Sequence, residues 1–344
     1  MNISEQDFGT VEEQTVSLYT LRNEHRFEVA ITNYGGAVVS LKAPDRDGSF
    51  ADVVLGFETL EEYVRNPRYF GPLIGRHANR IGLGRFSLAG SVVQLTQNNG
   101  VNHLHGGARG FDKRVWRVIA NTTSNLHLEY FSRDGEEGYP GNLTARVVYT
   151  LSDHNELEIS YEATTDRETI VNLTNHSYFN LAGHGDILGH ELTLHADAFT
   201  PVSKELIPTG EIASVDDTPM DFRSGKAIGT DLEAAGGYDH NFVLNNFDVN
   251  NLDNSLRPAA RLYEPVSGRV LEILTTEPGI QFYSGNFLDG SFHGKGGAVY
   301  YKYAGLCLEP QHFPDAPNHP NFPSTVLRPG EVYRHVSVYQ FSTD

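Results

Sequence analysis

Apolar and polar residues alternate with a period of two along much of this chain. The segment RFEVAIT places Val29 and Ile31 on one side of an extended chain, and ELEISYE does the same with Leu157, Ile159 and Tyr161. Successive side chains of a strand point to opposite faces, so this alternation predicts strands that bury one face and leave the other in water. The chain is therefore predicted to consist mainly of half-buried strands.

Glycine and proline divide these strands into short segments. The chain has 34 glycines and 16 prolines, in clusters such as DRDGS, NNGVN and DGEEGYPGN, which is typical of a large antiparallel sandwich. The best helical candidate is TLEEYVRN, where Leu60, Tyr63 and Val64 have helical spacing over about two turns. The chain has no repeat, low-complexity tract or linker. We therefore predict one all-β domain over residues 1–344, an antiparallel β-sandwich with little helix.

Charge and cysteine content exclude several partners and sites. The chain carries 26 basic and 44 acidic residues, a net charge of −18, which should repel nucleic acid and anionic membrane surfaces. The start, MNISEQDFGT, lacks the basic and apolar segments of a secretory signal, so we expect a cytoplasmic protein. Cys307 is the only cysteine, which excludes an intrachain disulfide and zinc sites built from thiolates.

The segment NLTNHSYFNL places a histidine among amides, hydroxyls and aromatic rings. If it forms one strand, Val171, Leu173 and Phe179 share one face, and every side chain of the other face can form hydrogen bonds. Such a face suits a polyhydroxylated ligand, although a structural histidine is an equal alternative from this segment alone. The polar face consists of Asn172, Thr174, His176, Tyr178 and Asn180.

Two carboxylates lie where a strand is predicted to begin or end. In GLCLEPQHFPD, Glu309 points away from Leu306 and Leu308 and is followed by Pro310, which is predicted to end the strand. Such a carboxylate is either an edge charge in water or a base at the mouth of a pocket. In GYDHNFVL, Asp239 precedes an apolar run, where turn formation is the simpler explanation.

Arginine and histidine motifs add further candidates. IGRHANRIG contains Arg76 and Arg80, which could bind carboxylates, ligand hydroxyls or the strand ends of a sheet. NHLHGG places His103 and His105 on one strand face, as many β-barrel metalloenzymes do. Those sites usually add a third histidine and a carboxylate, whereas no acidic residue follows here before Asp112. Dinucleotide, P-loop and serine-triad sites are not predicted, because GxGxxG before a helix, GxxxxGK and GxSxG are absent.

Ten short motifs occur in order between about residue 31 and residue 333. They are TNYGGAVVSL, IGRHANRIG, NHLHGG, DKRVW, DGEEGYPGNL, NLTNHSYFNL, GYDHNFVL, QFYSGNF, CLEPQHFPDAPNHPNFP and LRPGEVY. As a set they resemble the galactose mutarotase (aldose 1-epimerase) family over nearly the whole chain. The resemblance implies a single large antiparallel β-sandwich that needs no cofactor, in agreement with the strand pattern.

The resemblance also implies an activity and a division of roles. Members of the family interconvert the α and β anomers of free aldohexoses by opening the ring, rotating about C1–C2 and reclosing it. By motif, Glu309 should be the base that takes the proton from the C1 hydroxyl, and His176 the acid that protonates the ring oxygen. The residues that should bind the sugar are Asn79, Arg80, His105, Tyr178, Asp239 and Gln281.

These roles make demands on protonation and on the backbone. An ionised Glu309 and a protonated His176 are needed near neutral pH, and the ordinary pKa of histidine is only about 6.5. A carboxylate such as Asp239 within several ångströms would hold His176 charged. Pro310 stands where the family is expected to have a small polar residue, and it should remove one backbone donor beside the site.

Two other functions stay open at the level of the sequence. A non-catalytic carbohydrate-binding sandwich is one, although the presence of both Glu309 and His176 argues against it. A metal-dependent sugar isomerase that uses His103 and His105 is the other. Hexose-6-phosphate epimerases of the same family bind phosphate through added basic residues, and RHANR is the only arginine cluster. The expected partner is therefore a free aldose, with monomer and homodimer both open.

Overall fold

The computed structural model describes residues 1–65, 68–245 and 255–344, and strands dominate it. The first strands in chain order are β1 (Asn2–Val11), β2 (Gln14–Arg22), β3 (Glu28–Thr32), β4 (Val38–Pro44), β5 (Phe50–Asp52), β6 (Leu73–Ile74), β7 (Arg80–Ile81), β8 (Arg85–Leu88), β9 (Ser91–Gln94), β10 (His103–Leu104), β11 (Arg117–Asn121), β12 (Asn125–Ser132), β13 (Leu143–Leu151) and β14 (Glu156–Thr165). They are followed by β15 (Thr169–Ile170), β16 (Thr174–Asn175), β17 (Tyr178–Phe179), β18 (Glu191–Leu194), β19 (Ala198–Thr200), β20 (Ala213–Ser214), β21 (Lys226–Ala227), β22 (Asp239–Val243), β23 (Arg257–Tyr263), β24 (Arg269–Thr275), β25 (Gly279–Tyr283), β26 (Leu306–Gln311), β27 (Val326–Leu327) and β28 (Tyr333–Thr343).

Helix is confined to short segments, as predicted. The segment TLEEYVRN forms α1 (Leu60–Arg65), which begins with a capping box in which Thr59 and Glu62 each accept the other's backbone N–H. Its Asn66 lies outside the described residues. No helix in the described part of the chain is long and apolar enough to cross a membrane. The other helical segments are α2 (Leu232–Ala235) and the 3₁₀ turns Gly82–Gly84, Phe111–Lys113, Glu136–Gly138, Lys295–Gly297 and Ala316–Asn318.

Three antiparallel sheets hold most of the strands. The first has five strands in the order β1-β2-β3-β4-β5, and the second has nine, in the order β11-β12-β13-β14-β28-β24-β23-β18-β21. The third has six, in the order β17-β26-β25-β22-β19-β20. Four two-stranded ribbons pair β6 with β16, β7 with β10, β8 with β9 and β15 with β27. Adjacent strands in each sheet therefore run in opposite directions.

The hydrophobic core lies between these sheets. Leu157, Ile159 and Tyr161 of β14 are at most 4% exposed, so the alternation in ELEISYE does mark a strand with a buried face. The same core cluster contains Ile31 from the five-stranded sheet and Phe282 from the six-stranded sheet. All three sheets thus bury one side against the others, and the prediction of an antiparallel β-sandwich is confirmed.

Strand β26 continues past the residue that was predicted to end it. Pro310 lies inside the strand and pairs with Ile280 of β25, and the strand ends only at Gln311. On its other side β26 pairs with β17 only at Leu306 and Cys307. Pro310 therefore has a ladder partner on one side only, a position where a missing N–H is tolerated in a sheet.

Residues 171–181 do not form the one continuous strand on which the two-faced arrangement of this segment was conditional. Thr174 and Asn175 pair with β6, whereas Tyr178 and Phe179 pair with β26, so the segment changes partner between them. The side chain of Asn175 accepts hydrogen bonds from the backbone N–H and the hydroxyl of Ser177, which closes a tight local turn. His176 lies within that turn, between two short strands.

Gly106 shows how closely the segments around β10 approach each other. Its φ is +84°, and a Cβ atom added there would lie 1.7 Å from the carbonyl oxygen of Gly75. Gly100 has a similar φ of +61° but has no atom within 4 Å of such a Cβ. The backbone beside His105 therefore depends on glycine for space as well as for conformation.

We expect Gly106→Ala to destabilise the protein much more than Gly100→Ala. The control, Gly100→Ala, should cost about 1–2 kcal/mol of unfolding free energy, because it strains only the left-handed backbone. The substitution at Gly106 adds a clash with the Gly75 backbone, which must move. Denaturant midpoints at unchanged m-value measure both costs. Equal midpoints for the two variants would contradict the close approach.

Candidate active site

A cleft of about 400 Å³ lies between the six-stranded sheet and the loops that precede and follow the short ribbons. Its size is within the range of small-molecule sites. Gln281 does not line the cleft but donates a hydrogen bond to Asp239, which does. The other predicted site residues all line the cleft: Asn79, Arg80, His105, His176, Tyr178, Asp239 and Glu309.

Glu309 and His176 form the buried centre of the cleft. Nε2 of His176 lies 3.8 Å from Oε1 of Glu309, and the two residues are 5% and 2% exposed. The backbone holds the histidine in place, because its N–H donates to the carbonyl of Pro72 and its own carbonyl accepts from Gly71. Its Nδ1 is 3.4 Å from the sulfur of Cys307. Nε2 is therefore the imidazole nitrogen that faces the carboxyl group.

Desolvation sets the protonation of this pair. Burial raises the pKa of Glu309 well above its ordinary value, and the nearby Asp239 raises it further, while Arg80 lowers it. Burial lowers the pKa of His176 to about 4, against opposing contributions from a backbone hydrogen bond and from Asp239. The expectation that Asp239 holds His176 charged is therefore wrong for the free protein, because the loss of water outweighs the carboxylate. Burial therefore favours the state in which both groups are uncharged, with the carboxyl proton on Glu309.

A set of charged and amide groups lies beside the pair. Nη1 of Arg80 is 3.6 Å from Oδ2 of Asp239, and Gln281 donates a hydrogen bond of 2.7 Å to the other oxygen of Asp239. Gln281 pairs directly with Glu309 across β25 and β26, so the register of the sheet places it there. Oε1 of Gln281 and Oε2 of Glu309 are buried without a hydrogen-bond partner. Of the two residues, Glu309 lines the cleft, so its free acceptor is available to a ligand that carries hydroxyl groups.

His105 enters the cleft from a backbone with an unusual conformation. The N–H of Asn79 donates to its Nδ1 at 3.2 Å, so the proton of the neutral ring is on Nε2, which can donate to a ligand. Burial, with a smaller effect of His176, lowers the pKa of His105 well below its ordinary value. Tyr69, Asn79 and His105 have φ values of 57°, 61° and 51°. Left-handed conformations of non-glycine residues thus occur in the wall of the cleft, as is common at binding sites.

Arg76 and His103 have structural contacts instead of a place in the cleft. Arg76 is buried and donates to the backbone carbonyls of Ser132, Arg133 and Pro140. The ring nitrogens of His103 lie 2.6 Å from the carbonyl of Thr96 and 2.6 Å from the hydroxyl of Tyr139. Both nitrogens of His103 are therefore occupied, and His103 and His105 do not form the metal-binding pair considered from the sequence.

Only part of the polar face predicted around His176 reaches the cleft. His176 and Tyr178 line it, but Asn172 bonds to the backbone of His312 and Asn180 donates to the carbonyl of Ala304. Thr174 is also outside the lining. Because the chain turns at residues 176 and 177, the alternation of one strand does not apply across the whole segment. The interpretation of this face as a continuous sugar-binding wall is therefore wrong.

Several lining residues were not singled out from the sequence. The ring of Tyr69 has its centroid 4.7 Å from that of His105 and 5.8 Å from that of His176. Phe287 is 48% exposed at the cleft and stacks on Tyr283 with a centroid distance of 5.9 Å. Phe287 lies within the quoted motif QFYSGNF, whereas no pattern in the sequence marks Tyr69. Lys204, Glu205 and Leu206 also line the cleft from a turn.

Comparison with known proteins identifies the family and agrees with the fold. The family model for aldose 1-epimerase matches residues 17–340. Galactose mutarotase of Bos taurus is 48% identical over 334 residues, which cover 95% of this chain and 94% of the relative. Aldose 1-epimerase of Escherichia coli K12 is 40% identical over 337 residues, 95% of this chain and 96% of the relative.

A solved structure extends the agreement to three dimensions. The crystal structure of an aldose epimerase homologue from C. elegans superposes with a TM-score of 0.89 at 33% identity, covering 95% of this chain and 99% of the other. The family match spans most of the chain, and the curated relatives are similar along their whole length. This chain therefore belongs to the aldose 1-epimerase family, which is a family of isomerases.

We expect His176 of the free protein to be neutral at pH 7 and to take up a proton with a midpoint near 4. Asp239→Asn should lower this midpoint further, because it removes a carboxylate that favours the charged imidazole. Nitrogen chemical shifts of the imidazole, assigned with His176→Asn, measure both midpoints. A wild-type midpoint close to the ordinary histidine pKa of about 6.5 would show that burial does not control this group.

Proposed function

We propose that this protein interconverts the α and β anomers of free aldohexoses, with galactose as the first substrate to test. The observation that carries the proposal is the buried pair of Glu309 and His176, with Nε2 and Oε1 3.8 Å apart in one cleft. Family membership supports the reaction, and the galactose mutarotase relatives support the choice of galactose. We further propose that residues 1–344 act as one domain without a cofactor.

In the proposed reaction, Glu309 and His176 act on opposite ends of one hemiacetal. The Glu309 carboxylate takes the proton of the C1 hydroxyl, the C1–O5 bond breaks, and O5 receives a proton from His176. After rotation about C1–C2, O5 attacks the other face of the aldehyde and returns its proton to His176, while O1 takes the proton from Glu309. Each proton moves between positioned groups, which contributes roughly 10²- to 10⁴-fold for each group.

The protonation of the free pair has a direct meaning in this scheme. When the sugar is in its open-chain form, Glu309 holds the proton of the C1 hydroxyl and His176 has given its proton to O5, so both groups are neutral. When the ring is closed, both groups are ionised. Burial favours the neutral state. Arg80 favours an ionised Glu309 and so opposes burial, whereas Asp239 favours a charged His176 but disfavours an ionised Glu309. Because the two groups titrate as a coupled pair, the acid and alkaline limbs of the pH–rate profile report pKa values of the pair and not of one residue.

The remaining groups are proposed to hold the sugar. Asp239 offers acceptors, Gln281 is proposed to orient Asp239, and Arg80 and Nε2 of His105 offer donors. Ligand hydroxyls can satisfy both kinds of group, and a ring held by several of them is oriented as well as bound. Tyr178 and Asn79 are proposed to complete this binding surface, because both line the cleft.

Glu309→Gln and His176→Asn should each lower kcat by roughly 10²-fold or more, with a smaller change in KM. Glutamine keeps the shape of Glu309 but cannot accept the proton, and asparagine cannot release one to O5. The double variant should be barely slower than either single one, because the two groups act as a unit. Polarimetry on freshly dissolved α-galactose and α-glucose measures the rates, with the exposed substitution Glu331→Gln as the control.

Two results of that experiment would contradict the proposal in different ways. If folded Glu309→Gln equilibrates the sugar within a few-fold of wild type, Glu309 is not the base. If the wild-type protein leaves the decay of optical rotation unchanged while it binds sugar, the protein is a carbohydrate-binding sandwich. Circular dichroism of each variant separates loss of chemistry from loss of folding.

A metal-dependent isomerase is the second candidate, because one observation favours it. His105, His176 and Glu309 each place a possible ligand atom within 4.8 Å of the others. We nevertheless expect dialysis against a chelator to leave the mutarotation rate unchanged at temperatures below those at which the protein begins to unfold. The proton transfers described above need no Lewis acid. Loss of activity that a single metal ion restores would support the metal-dependent reaction instead.

A further inference from the structure

A second group of histidine and carboxylate side chains lies outside the cleft. Nδ1 of His312 is 2.6 Å from Oε2 of Glu277, and Nε2 of His335 is 2.5 Å from the other oxygen, Oε1. The three ligand atoms lie within 4.8 Å of one another. Glu277 is 1% exposed and His335 is 6% exposed. None of the three residues lines the cleft or takes part in the proposed reaction.

His335 and Glu277 make a close contact in the interior of the protein. Nε2 of His335 and Oε1 of Glu277 are shielded from solvent and lie 2.5 Å apart. Nδ1 of His335 lies 3.2 Å from the hydroxyl of Thr276, which itself accepts the N–H of Val336. In the tautomer in which Nδ1 donates to Thr276, the lone pair of Nε2 faces the carboxylate. A cation between these two acceptor atoms, either a proton or a metal ion, would satisfy both.

We propose that Glu277, His312 and His335 bind a zinc ion that links the two larger sheets. Two imidazoles and one carboxylate are a donor set that zinc uses, with bonds of about 2.0–2.2 Å. The nitrogen and oxygen atoms would separate from 2.5–2.6 Å to about 3 Å or slightly more around the ion, a side-chain movement of less than about 1 Å. The contact of His335 with Thr276 is the kind that orients a metal ligand.

His312 gives the site a route for entry. Its side chain is 18% exposed, in contrast to 1% for Glu277 and 6% for His335. Its backbone is fixed, because Asn172 donates to its carbonyl and accepts its N–H. An ion can therefore arrive from the side of His312, and a water molecule on that side can occupy a fourth position.

The position of the group predicts what the ion would do. Glu277 lies on the connection between β24 of the nine-stranded sheet and β25 of the six-stranded sheet, and His312 directly follows β26. His335 lies in β28 of the nine-stranded sheet. An ion bound by all three residues would fasten the two sheets together next to the strands that carry Gln281 and Glu309. We therefore expect it to act on stability and not on the chemistry in the cleft.

Zinc titration of the full-length, chelator-treated protein tests this site. Calorimetry with ZnCl₂ should give one bound equivalent, and the melting temperature should rise by several degrees, roughly as expected for a ligand that binds only the folded state. MgCl₂ should have neither effect, because magnesium prefers oxygen ligands. His312→Gln and His335→Gln should abolish both effects, whereas the control His319→Gln should keep them. His176→Asn should also keep them, because it affects only the group in the cleft.

The variants distinguish a metal site from a network of hydrogen bonds. Glutamine at position 312 can still donate to Glu277 but is a poor zinc ligand, so a purely hydrogen-bonded group would not produce a zinc effect that depends on His312. The proposal is overturned if wild type binds no equivalent of zinc, if binding survives both His312→Gln and His335→Gln, or if His176→Asn abolishes it. If circular dichroism shows that His335→Gln does not fold, the zinc titration of His312→Gln alone decides whether the proposal stands.

Discussion

Burial of the Glu309 carboxyl group is the constraint on which the rest of the site depends. All six residues of β26 are buried, so this carboxyl group lies in a strand with no access to bulk water. An isolated charge in such a place costs several kcal/mol, and a proton or a close partner must offset that cost. The nearby Arg80 favours the charged carboxylate, and His176 lies 3.8 Å away, where a protonated imidazole would do the same. The turn at residues 176 and 177 and the loop before β7 are what bring them there.

Strands and loops contribute differently to the cleft. Glu309, Gln281 and Asp239 come from neighbouring strands of one sheet, and their relative positions follow from strand register. Asn79 and His105 come from loops with left-handed backbone, held by hydrogen bonds between the two loops. The Glu309 carboxyl group therefore sits on a strand held within a sheet, while Asn79 and His105 lie on segments whose geometry depends on local backbone strain.

The sequence predicted the strands well where one face packs in the core, as in β14, because burial there follows the alternation directly. The ordered motifs also placed seven of the eight site residues in one cleft, although the chain itself gives no distance between them. The turn at His176 was missed, because the exchange of strand partners is decided by tertiary contacts. The neutral state of His176 was missed for a similar reason: desolvation depends on everything packed around the ring. Glu277, His312 and His335 meet only through the pairing of β24 with β28 and of β25 with β26.

The division between strand and loop residues has an evolutionary consequence. Under the proposed roles, a substitution in the loops that carry Asn79 and His105 would change which hydroxyl groups are recognised without altering any strand pairing. A substitution at Glu309 or Gln281 would instead change the interior of a sheet and disturb the packing of the adjacent strands. Preference for one sugar over another would then diverge between descendants of such a protein, while the proposed proton transfer from the sheet stayed the same.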